Sequence, residues 1–380
     1  MQKLPFKSIT ERKDLKGKYV LLRTSMNVPI VDGVVLNQFR ITRGLLTLQY
    51  LVQQGARVIV CGHIGSDGSQ TAAPVAELLR THMPVVFSEE VAGTKSKNLR
   101  DTLQNGEVLL LENLRKDPRE KKNDANFARE LADMADIYVN DAFPASHRAH
   151  ASIVSVPQFL PSYAGMNFVH EYSELMEARV PTSPSLFMLG GAKFDTKMPL
   201  VEQFLGVYDH IFIGGALAND FFNAKRYEIG DSLISDIDLS DSPLLTHESI
   251  LLPIDVVVEK NGERRVCAPD AVGYHDVILD AGPQTVAMLA PLIANAKMVL
   301  WNGPLGNYEA GYEEQTIETA KLIAQADGYS VVGGGDTVAA IESLFIQEQY
   351  NFLSTAGGAM LTFLQEGTLP AIDALIACKK

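Results

Sequence analysis

Four short apolar runs in the second half of the chain each end abruptly in glycine. The runs are Leu186 to Leu189 before Gly190 and Gly191, Ile211 to Ile213 before Gly214 and Gly215, Met298 to Trp301 before Asn302 and Gly303, and Tyr329 to Val332 before Gly333 to Gly335. Such runs are typical of buried parallel strands, and glycine after a strand lets a ligand approach the backbone closely. Ligands of open α/β sheets bind at this edge, where helix starts offer N–H groups to phosphate. The pattern therefore predicts an α/β fold that binds a nucleotide or another phosphorylated ligand.

The first half of the chain shows another series of strands and helices. Strands are predicted at Tyr19 to Leu22, Arg57 to Val60, Val108 to Leu111 and Ile137 to Val139, with a helix at Arg43 to Gln54 between the first two. This βαβ order predicts a parallel sheet covered by helices. A helix at 166–180, ended by the Pro-Thr-Ser-Pro segment at 181–184, is predicted to link the two series.

Length, charge and cysteine content narrow the class of protein. A chain of 380 residues is too long for one ordinary core and should form two domains. The formal charge of −13 argues against nucleic-acid binding, which needs a large basic surface. Without an apolar stretch of about 18 residues or the apolar core of a signal peptide, we expect no membrane association and a cytoplasmic location. Cys61, Cys267 and Cys378 lie far apart, which favours reduced, structural thiols.

Cationic and polar residues follow the strands of the first half, where the second half has glycine. They are Arg23 and Asn27 after the first strand, His63 after the second, Asn113 and Arg115 after the third, and Asn140, Asp141, His147, Arg148 and His150 after the fourth, with Arg40 in the connection after Asn27. Taken singly, such a residue more often caps a helix or pairs with a surface carboxylate. Because the carboxyl ends of parallel strands share one edge, the group as a whole predicts an anion site.

The chain resembles the phosphoglycerate kinase family along nearly its whole length. The matching segments are Arg23 to Pro29, Leu110 to Arg115, Val139 to Phe143, His147 to Ser152, Gly190 to Lys193 and on to Lys197, Tyr227 to Gly230, Leu252 to Val257, Trp301 to Pro304, Gly333 to Thr337 and Ser354 to Ala359. Each segment alone is weak evidence, but ten in this order make a chance match very improbable.

The resemblance implies a fold and a reaction. The fold is two doubly wound parallel-sheet (Rossmann-like) α/β domains that face across a cleft and are joined by a hinge helix. Residues 1–165, with 355–380 returning to them, would bind the glycerate, 166–180 would form the linking helix, and 181–354 would bind the nucleotide. The reaction is reversible phosphoryl transfer between 1,3-bisphosphoglycerate and ADP, which gives 3-phosphoglycerate and ATP. We expect a monomer that uses Mg²⁺ with the nucleotide.

The resemblance also implies roles for individual residues. Those expected to bind the glycerate are Asn27, Arg40, His63, Arg115 and Arg148, with Ser25 and Ser66 at the same site. Those expected to bind the nucleotide are Gly191, Lys193, Lys197, Gly214, Gly215, Leu233, Asn302, Pro304, Glu309, Gly334, Gly335, Asp336 and Thr337, of which Asp336 also holds the magnesium ion. Arg40, Lys193 and Lys197 are expected to be catalytic. Lys193 and Lys197 face the nucleotide phosphates, and Arg40 and Lys197 offset charge on the moving phosphoryl group, to which Gly357 and Gly358 offer backbone N–H groups.

On the glycerate side, two positions depart from the family pattern and keep alternatives open. Ser25 stands where the family has an aspartate, and Ser66 stands where it has an arginine, both at the glycerate site. A diverged family member with a weak or altered acyl-phosphate substrate, or with a regulatory role, is therefore the second hypothesis. A nicotinamide dehydrogenase is the third, and it is disfavoured because no G-x-G-x-x-G motif follows the first strand.

Overall fold

The computed structural model describes residues 3–192 and 194–378, which form two compact units. The first unit extends to Ser173 and includes the chain from Glu366 onward, while the second unit is Glu174–Gln365. In the described part of the chain, no helix is both long enough and apolar enough to span a membrane.

The two units contain seventeen strands and twelve α-helices among the described residues. The strands are β1 Tyr19–Thr24, β2 Ile30–Val31, β3 Val34–Val35, β4 Arg57–Cys61, β5 Val85–Phe87, β6 Val108–Leu110, β7 Ile137–Asp141, β8 Ser162–Ala164, β9 Ser185–Leu189, β10 His210–Ile213, β11 Ile250–Leu251, β12 Val256–Lys260, β13 Glu263–Cys267, β14 Val277–Ala281, β15 Met298–Asn302, β16 Tyr329–Gly333 and β17 Phe352–Leu353. The helices are α1 Phe39–Gln53, α2 Ala73–Arg80, α3 Thr94–Thr102, α4 Ala125–Ala132, α5 Met166–Ala178, α6 Phe194–Phe204, α7 Leu217–Ala224, α8 Pro283–Asn295, α9 Glu314–Ala324, α10 Gly335–Ser343, α11 Gly358–Glu366 and α12 Pro370–Ala377.

Each unit is built on one six-stranded parallel sheet. The first sheet has the order β5-β6-β4-β1-β7-β8 and the second has the order β11-β10-β9-β15-β16-β17. A small antiparallel sheet, β13-β12-β14, belongs to the second unit. In both large sheets the earliest strand, β1 or β9, lies in the middle. The next strands along the chain are added on one side of it, and the later strands are added on the other side. Ligands of open sheets bind at such a switch point, beyond the carboxyl ends of the strands.

Alternate residues of β1 point to opposite faces of the first sheet, and helices cover both faces. Val20 and Leu22 pack in a core with Leu45 of α1, whereas Leu21 packs in another core with Phe127 of α4. Buried apolar residues on both faces are the reason the strands read as continuous apolar runs. The predicted fold class, two doubly wound parallel α/β sheets, is confirmed.

The observed elements differ from the predicted ones mainly at their ends. The helix α1 begins at Phe39 rather than at Arg43, so Arg40 lies in its first turn and not in the preceding connection. The short strands β5 and β8 are not predicted because three residues carry no measurable periodicity. The predicted helix at 166–180 is found as α5, and the boundary between the two units falls within it.

Candidate active site

Arg23 and His63 form the buried centre of a cationic cluster at the carboxyl end of the first sheet. Arg23 is fully buried on β1, and its Nη2 lies 2.9 Å from Nδ1 of His63. Because a guanidinium can only donate, Nδ1 of His63 must accept, and the ring carries its proton on Nε2. Burial, together with the charges of Arg23 and its neighbours, lowers the pKa of His63 far below its usual range. His63 is therefore a neutral hydrogen-bond donor at physiological pH.

A buried carboxylate holds Arg23 in place from the other side. The Nε atom of Arg23 lies 3.1 Å from Oγ of Ser152, and that hydroxyl donates to Glu120 at 2.6 Å. Glu120 also accepts from the backbone N–H of Ser152 at 2.9 Å. Burial raises the pKa of Glu120, and the charge of Arg23 opposes that rise. The chain of contacts from Glu120 through Ser152 to Arg23 fixes the guanidinium that orients His63.

Arg115 and Arg148 extend this cluster from the loops after β6 and β7. Arg115 is 8% exposed, donates to the carbonyl of Gly65, and its Nε has no hydrogen-bond partner among the described residues. Burial and the charge of Arg148 lower the pKa of Arg115, and the same two effects, with the charge of Arg115, lower the pKa of His150 to about 4. A buried donor without a partner at a sheet edge is a feature of ligand sites. We call Arg23, His63, Arg115, Arg148 and His150 the cationic edge.

Asn27 and Arg40 are connected to the cationic edge by hydrogen bonds that involve the backbone of Asn27 and Gly65. Arg40 donates to the carbonyl of Asn27 at 2.9 Å, and the side-chain oxygen of Asn27 accepts from Gly65 N–H at 2.9 Å. Burial lowers the pKa of Arg40, while the charge of Glu171 opposes the shift. The five residues expected to bind the glycerate thus belong to the first unit, Arg40 on the first turn of α1 and the other four after the strands of the first sheet.

The two serines that depart from the family pattern lie on the same loops. Ser25 is buried and lines a small cavity with Met26 and Leu45. Ser66 is exposed, and Nζ of Lys121 lies 3.4 Å from its carbonyl oxygen. Neither hydroxyl supplies the charge that the family residue would bring.

Glycines at the carboxyl end of the second sheet pack the loops against each other. Gly190 and Gly191 donate to the carbonyls of Asn302 and Pro304 at 2.9 and 2.8 Å. A Cβ on Gly190 would lie 2.1 Å from the oxygen of Pro304, and one on Gly303, which has a φ of +97°, would lie 2.3 Å from the oxygen of Gly190. At these positions a neighbouring loop already requires glycine, so close approach of a ligand is not needed to explain it. The prediction that Gly191, Gly214 and Gly215 bind the nucleotide stays a prediction.

Gly335 and Gly358 differ because they face open space. A Cβ on either would meet no described atom within 4 Å, and each begins a helix, α10 or α11. The preceding residues, Gly334 and Gly357, have positive φ angles of 101° and 55°. Helix N-termini that open in this way are suited to bind phosphate. Together with Gly190, Gly191 and Gly303, we call Gly335 and Gly358 the glycine edge.

Three polar side chains contact the loops of the glycine edge or lie beside them. Thr337 is fully buried, and its hydroxyl accepts from the backbone N–H of Gly303 at 3.1 Å. Asn302 is buried as well and contacts the sulfur of Met360 at 3.5 Å. Lys197, on the first turn of α6, is 8% exposed and donates to the carbonyl of Gly190. The structure therefore brings these residues to one edge of the second sheet.

The remaining residues expected to bind the nucleotide occupy several positions in the second unit. Leu233 is 63% exposed on a loop, and its carbonyl accepts from Asn219 at 2.9 Å. Glu309 is exposed in a short 3₁₀ helix, Tyr308–Ala310, that follows the buried Pro304. Lys193 lies outside the described residues. Their roles stay predictions.

Asp336 is the acidic residue of the glycine edge. It lies half-buried in the first turn of α10, directly after the open Gly335. No group of three or more histidine, cysteine or acidic side chains suited to hold a metal ion occurs within residues 3–192 and 194–378. One carboxylate fits magnesium, which usually binds through one or two carboxylates and substrate phosphates rather than a complete protein cage.

Comparisons with known proteins show what the chain is similar to. The family model for phosphoglycerate kinase matches residues 10–367. The chain therefore belongs to the phosphoglycerate kinase family. Phosphoglycerate kinases of Roseiflexus sp. (strain RS-1) and of Thermus thermophilus are 38% and 39% identical to it, over 95% of this chain and 97% and 98% of those proteins. The resemblance inferred from the sequence, the function and the enzyme class are confirmed.

Solved structures of phosphoglycerate kinases have the same fold. The enzyme of Coxiella burnetii superposes with a TM-score of 0.84 at 34% identity, covering 99% of this chain and all of that one. The enzyme of Pyrococcus horikoshii OT3 gives 0.86 at 29% identity, covering 97% and 98%. These findings do not favour the alternative of a diverged family member.

Sequence reasoning does not assign an individual role to three residues in or beside the cationic edge, Arg23, His150 and Glu120. Arg23 and His150 belong to the group of cations and polar residues that predicts an anion site, but the sequence gives neither of them an individual role. Glu120 gives no signal, because its contact with Ser152 spans 32 residues and joins a turn to a short π-helix, Ala151–Ser155. Of these three residues, only Arg23 could have been recognised as a buried charge, because it directly follows the predicted apolar strand Tyr19 to Leu22.

Proposed function

We propose that this member of the phosphoglycerate kinase family binds its two substrates on different units. The glycerate would bind at the cationic edge of the first sheet, and ADP or ATP would bind at the glycine edge of the second. The observation that carries the proposal is the cationic edge itself. There, arginines surround a neutral histidine, and the buried Nε of Arg115 has no partner among the described residues.

The cationic edge suits an anion with both a phosphate and a carboxylate. Arg115 and Arg148 can bind such oxygens bidentately, because the planar guanidinium matches their spacing. His63 would add a neutral donor, Nε2–H, since Arg23 occupies the other ring nitrogen. Arg40 and Asn27, which contact each other at 2.9 Å, would complete the site next to the reacting carboxylate.

The glycine edge suits the phosphates of a nucleotide. Backbone N–H groups at the starts of α10 and α11 would bind phosphate oxygens at Gly334, Gly335, Gly357 and Gly358. A magnesium ion, bound with the nucleotide and held by Asp336, would neutralise charge on the phosphates. Leu233 and Pro304 would form apolar walls for the base, and Glu309 would face the ribose.

The residues of the chain need not move a proton during the reaction. The attacking carboxylate of 3-phosphoglycerate is already deprotonated at neutral pH, so its oxygen can form the new bond to phosphorus as the bond to ADP breaks. Arg40, Lys193 and Lys197 would offset the charge on the moving phosphoryl group. Removal of one such interaction typically costs about 10²-fold or more in rate.

Ser25 and Ser66 would give the glycerate site a lower affinity for its substrate than a site with the aspartate and arginine of the family pattern. Each replaces a charged side chain, and a hydrogen bond to a charged group contributes about 1.5 to 3 kcal/mol. Both serines are on the first unit, so the effect should appear in glycerate affinity and not in nucleotide affinity.

A coupled assay tests the proposal. Purified protein with 3-phosphoglycerate, ATP and magnesium should produce ADP, and chelation of the magnesium should stop the reaction. Lys197→Ala should lower kcat about 10²-fold, because it removes one cation from the transferring group. Wild-type turnover no higher than that of Lys197→Ala, with nucleotide still bound, would favour the diverged family member instead. A monomeric state and a cytoplasmic location stay predictions.

A further inference from the structure

Lys121 connects two loops at the outer side of the cationic edge. It follows the buried Glu120, and its Nζ lies 3.4 Å from the carbonyl oxygen of Ser66. The Lys121 side chain is exposed, and an ammonium group has three donors, so contact with Ser66 leaves it able to bind an anion. The contact places the cation of Lys121 beside the position where the family pattern has an arginine.

The charge of Lys121 reaches the residues of the cationic edge. After burial and the charges of Arg115, Arg148 and Arg23, the charge of Lys121 is a further cause of the low pKa of His150. On the other side, hydrogen bonds from Ser69 are the main cause of the low pKa of Asp67, next to Ser66, and the charge of Lys121 lowers it further. Lys121 therefore lies near both His150 and the loop of Ser66, which its Nζ contacts.

We propose that Lys121 supplies the cation that position 66 lacks and binds the phosphate of the glycerate substrate. A lysine suits this role because it binds phosphate as a point charge and needs no fixed fork geometry. The inference rests on the proposed function, since it assigns one more residue to the same glycerate site. Lys121 then compensates in part for Ser66, because it restores one cation close to that position.

Steady-state kinetics of Lys121→Ala and Lys122→Ala test this role. Lys122 is the matched control, because it is the adjacent exposed lysine and its removal changes the net charge equally. We expect Lys121→Ala to raise KM for 3-phosphoglycerate about fivefold, the effect of one partly solvated ion pair. Lys122→Ala should change that KM less than about twofold, and neither variant should change KM for ATP. Equal effects of the two variants on KM for 3-phosphoglycerate would overturn the proposal.

A double-mutant cycle with Ser66→Arg separates compensation from a general charge effect. If Lys121 replaces the missing arginine, Ser66→Arg should lower KM for 3-phosphoglycerate more in the Lys121→Ala background than in the wild type. The same improvement in both backgrounds would show that the two positions act independently, which contradicts compensation.

Calorimetric titration with 3-phosphoglycerate distinguishes failure of this inference from failure of the proposed function. If the wild type shows no turnover but binds 3-phosphoglycerate, the proposed function fails, and the binding constants of the same variants still test Lys121. If the wild type turns over and Lys121→Ala binds 3-phosphoglycerate as tightly as Lys122→Ala, only the inference fails. Absence of wild-type binding to 3-phosphoglycerate would overturn both.

Discussion

At the scale of single residues, the site depends on one hydrogen bond that fixes a histidine. Arg23 donates to Nδ1 of His63 from a fully buried position, and Glu120 holds Arg23 through Ser152. The result is a neutral imidazole whose Nε2–H points away from Arg23. Positive charge at the cationic edge therefore comes from its three arginines and not from its histidines.

The pKa shifts of the two edge histidines predict how the free protein responds to acid. The pKa of His63 lies far below its usual value of 6.5 and that of His150 is about 4, so neither ring should gain a proton between about pH 5.5 and 8. Proton NMR of the ring resonances, assigned with His63→Gln and His150→Gln, should show no inflection in that range. An inflection of His63 near pH 6.5 would mean that Arg23 does not hold it in the neutral form.

The same shifts have a consequence for stability. The unfolded chain binds protons at these histidines below about pH 6.5, whereas the folded chain does not, so protonation favours the unfolded state. Their contribution to stability is fully present above about pH 6.5 and is lost as the pH falls toward the folded pKa of His150, about 4.

At the scale of elements, the loops after the strands of the second sheet use glycine for two reasons. At Gly190 and Gly303, two segments of backbone pack so closely that the Cβ of any other residue would overlap a neighbouring carbonyl oxygen. Gly335 instead leaves space open at the start of α10. Glycine in one sequence pattern thus serves the fold at some positions and, on our proposal, the ligand at others.

A matched pair of alanine substitutions separates these reasons. Gly190→Ala should destabilise the protein by about 1 to 3 kcal/mol, because its Cβ would overlap the carbonyl oxygen of Pro304. Gly335→Ala should leave the unfolding temperature unchanged or raise it, since alanine favours a helix, but should weaken ADP binding. Thermal unfolding and ADP titration of both variants check this. Intact ADP binding by Gly335→Ala would remove α10 from the phosphate site.

The sequence predicts the elements of this protein better than the contacts between them. The strands from Tyr19 and from Met298 are readable because both faces of each are buried, which gives continuous apolar runs. Strand β8 is too short to show a pattern, and the start of α1 lacks a side-chain cap, so the predicted helix begins too late, at Arg43 instead of Phe39. The link from Glu120 to Arg23 depends on tertiary structure alone, and no local pattern could reveal it.

At the scale of the whole molecule, the two units have the same kind of six-stranded parallel sheet but different anion-binding groups at their carboxyl edges. The first unit presents buried arginines and the second presents open helix N-termini with one carboxylate, Asp336. On our proposal, this division lets each substrate bind on its own unit. Cations are concentrated at the first edge although the net charge of the whole chain is −13.

Calorimetric titration of 3-phosphoglycerate and of magnesium ADP into Arg148→Ala and Asp336→Ala tests this division most directly. Arg148→Ala should weaken 3-phosphoglycerate binding about tenfold or more, since it removes a bond between charged groups, and should leave ADP binding unchanged. Asp336→Ala should do the reverse. If either folded variant binds both ligands more weakly, and to the same extent, the two substrates do not bind on separate units and the account is wrong.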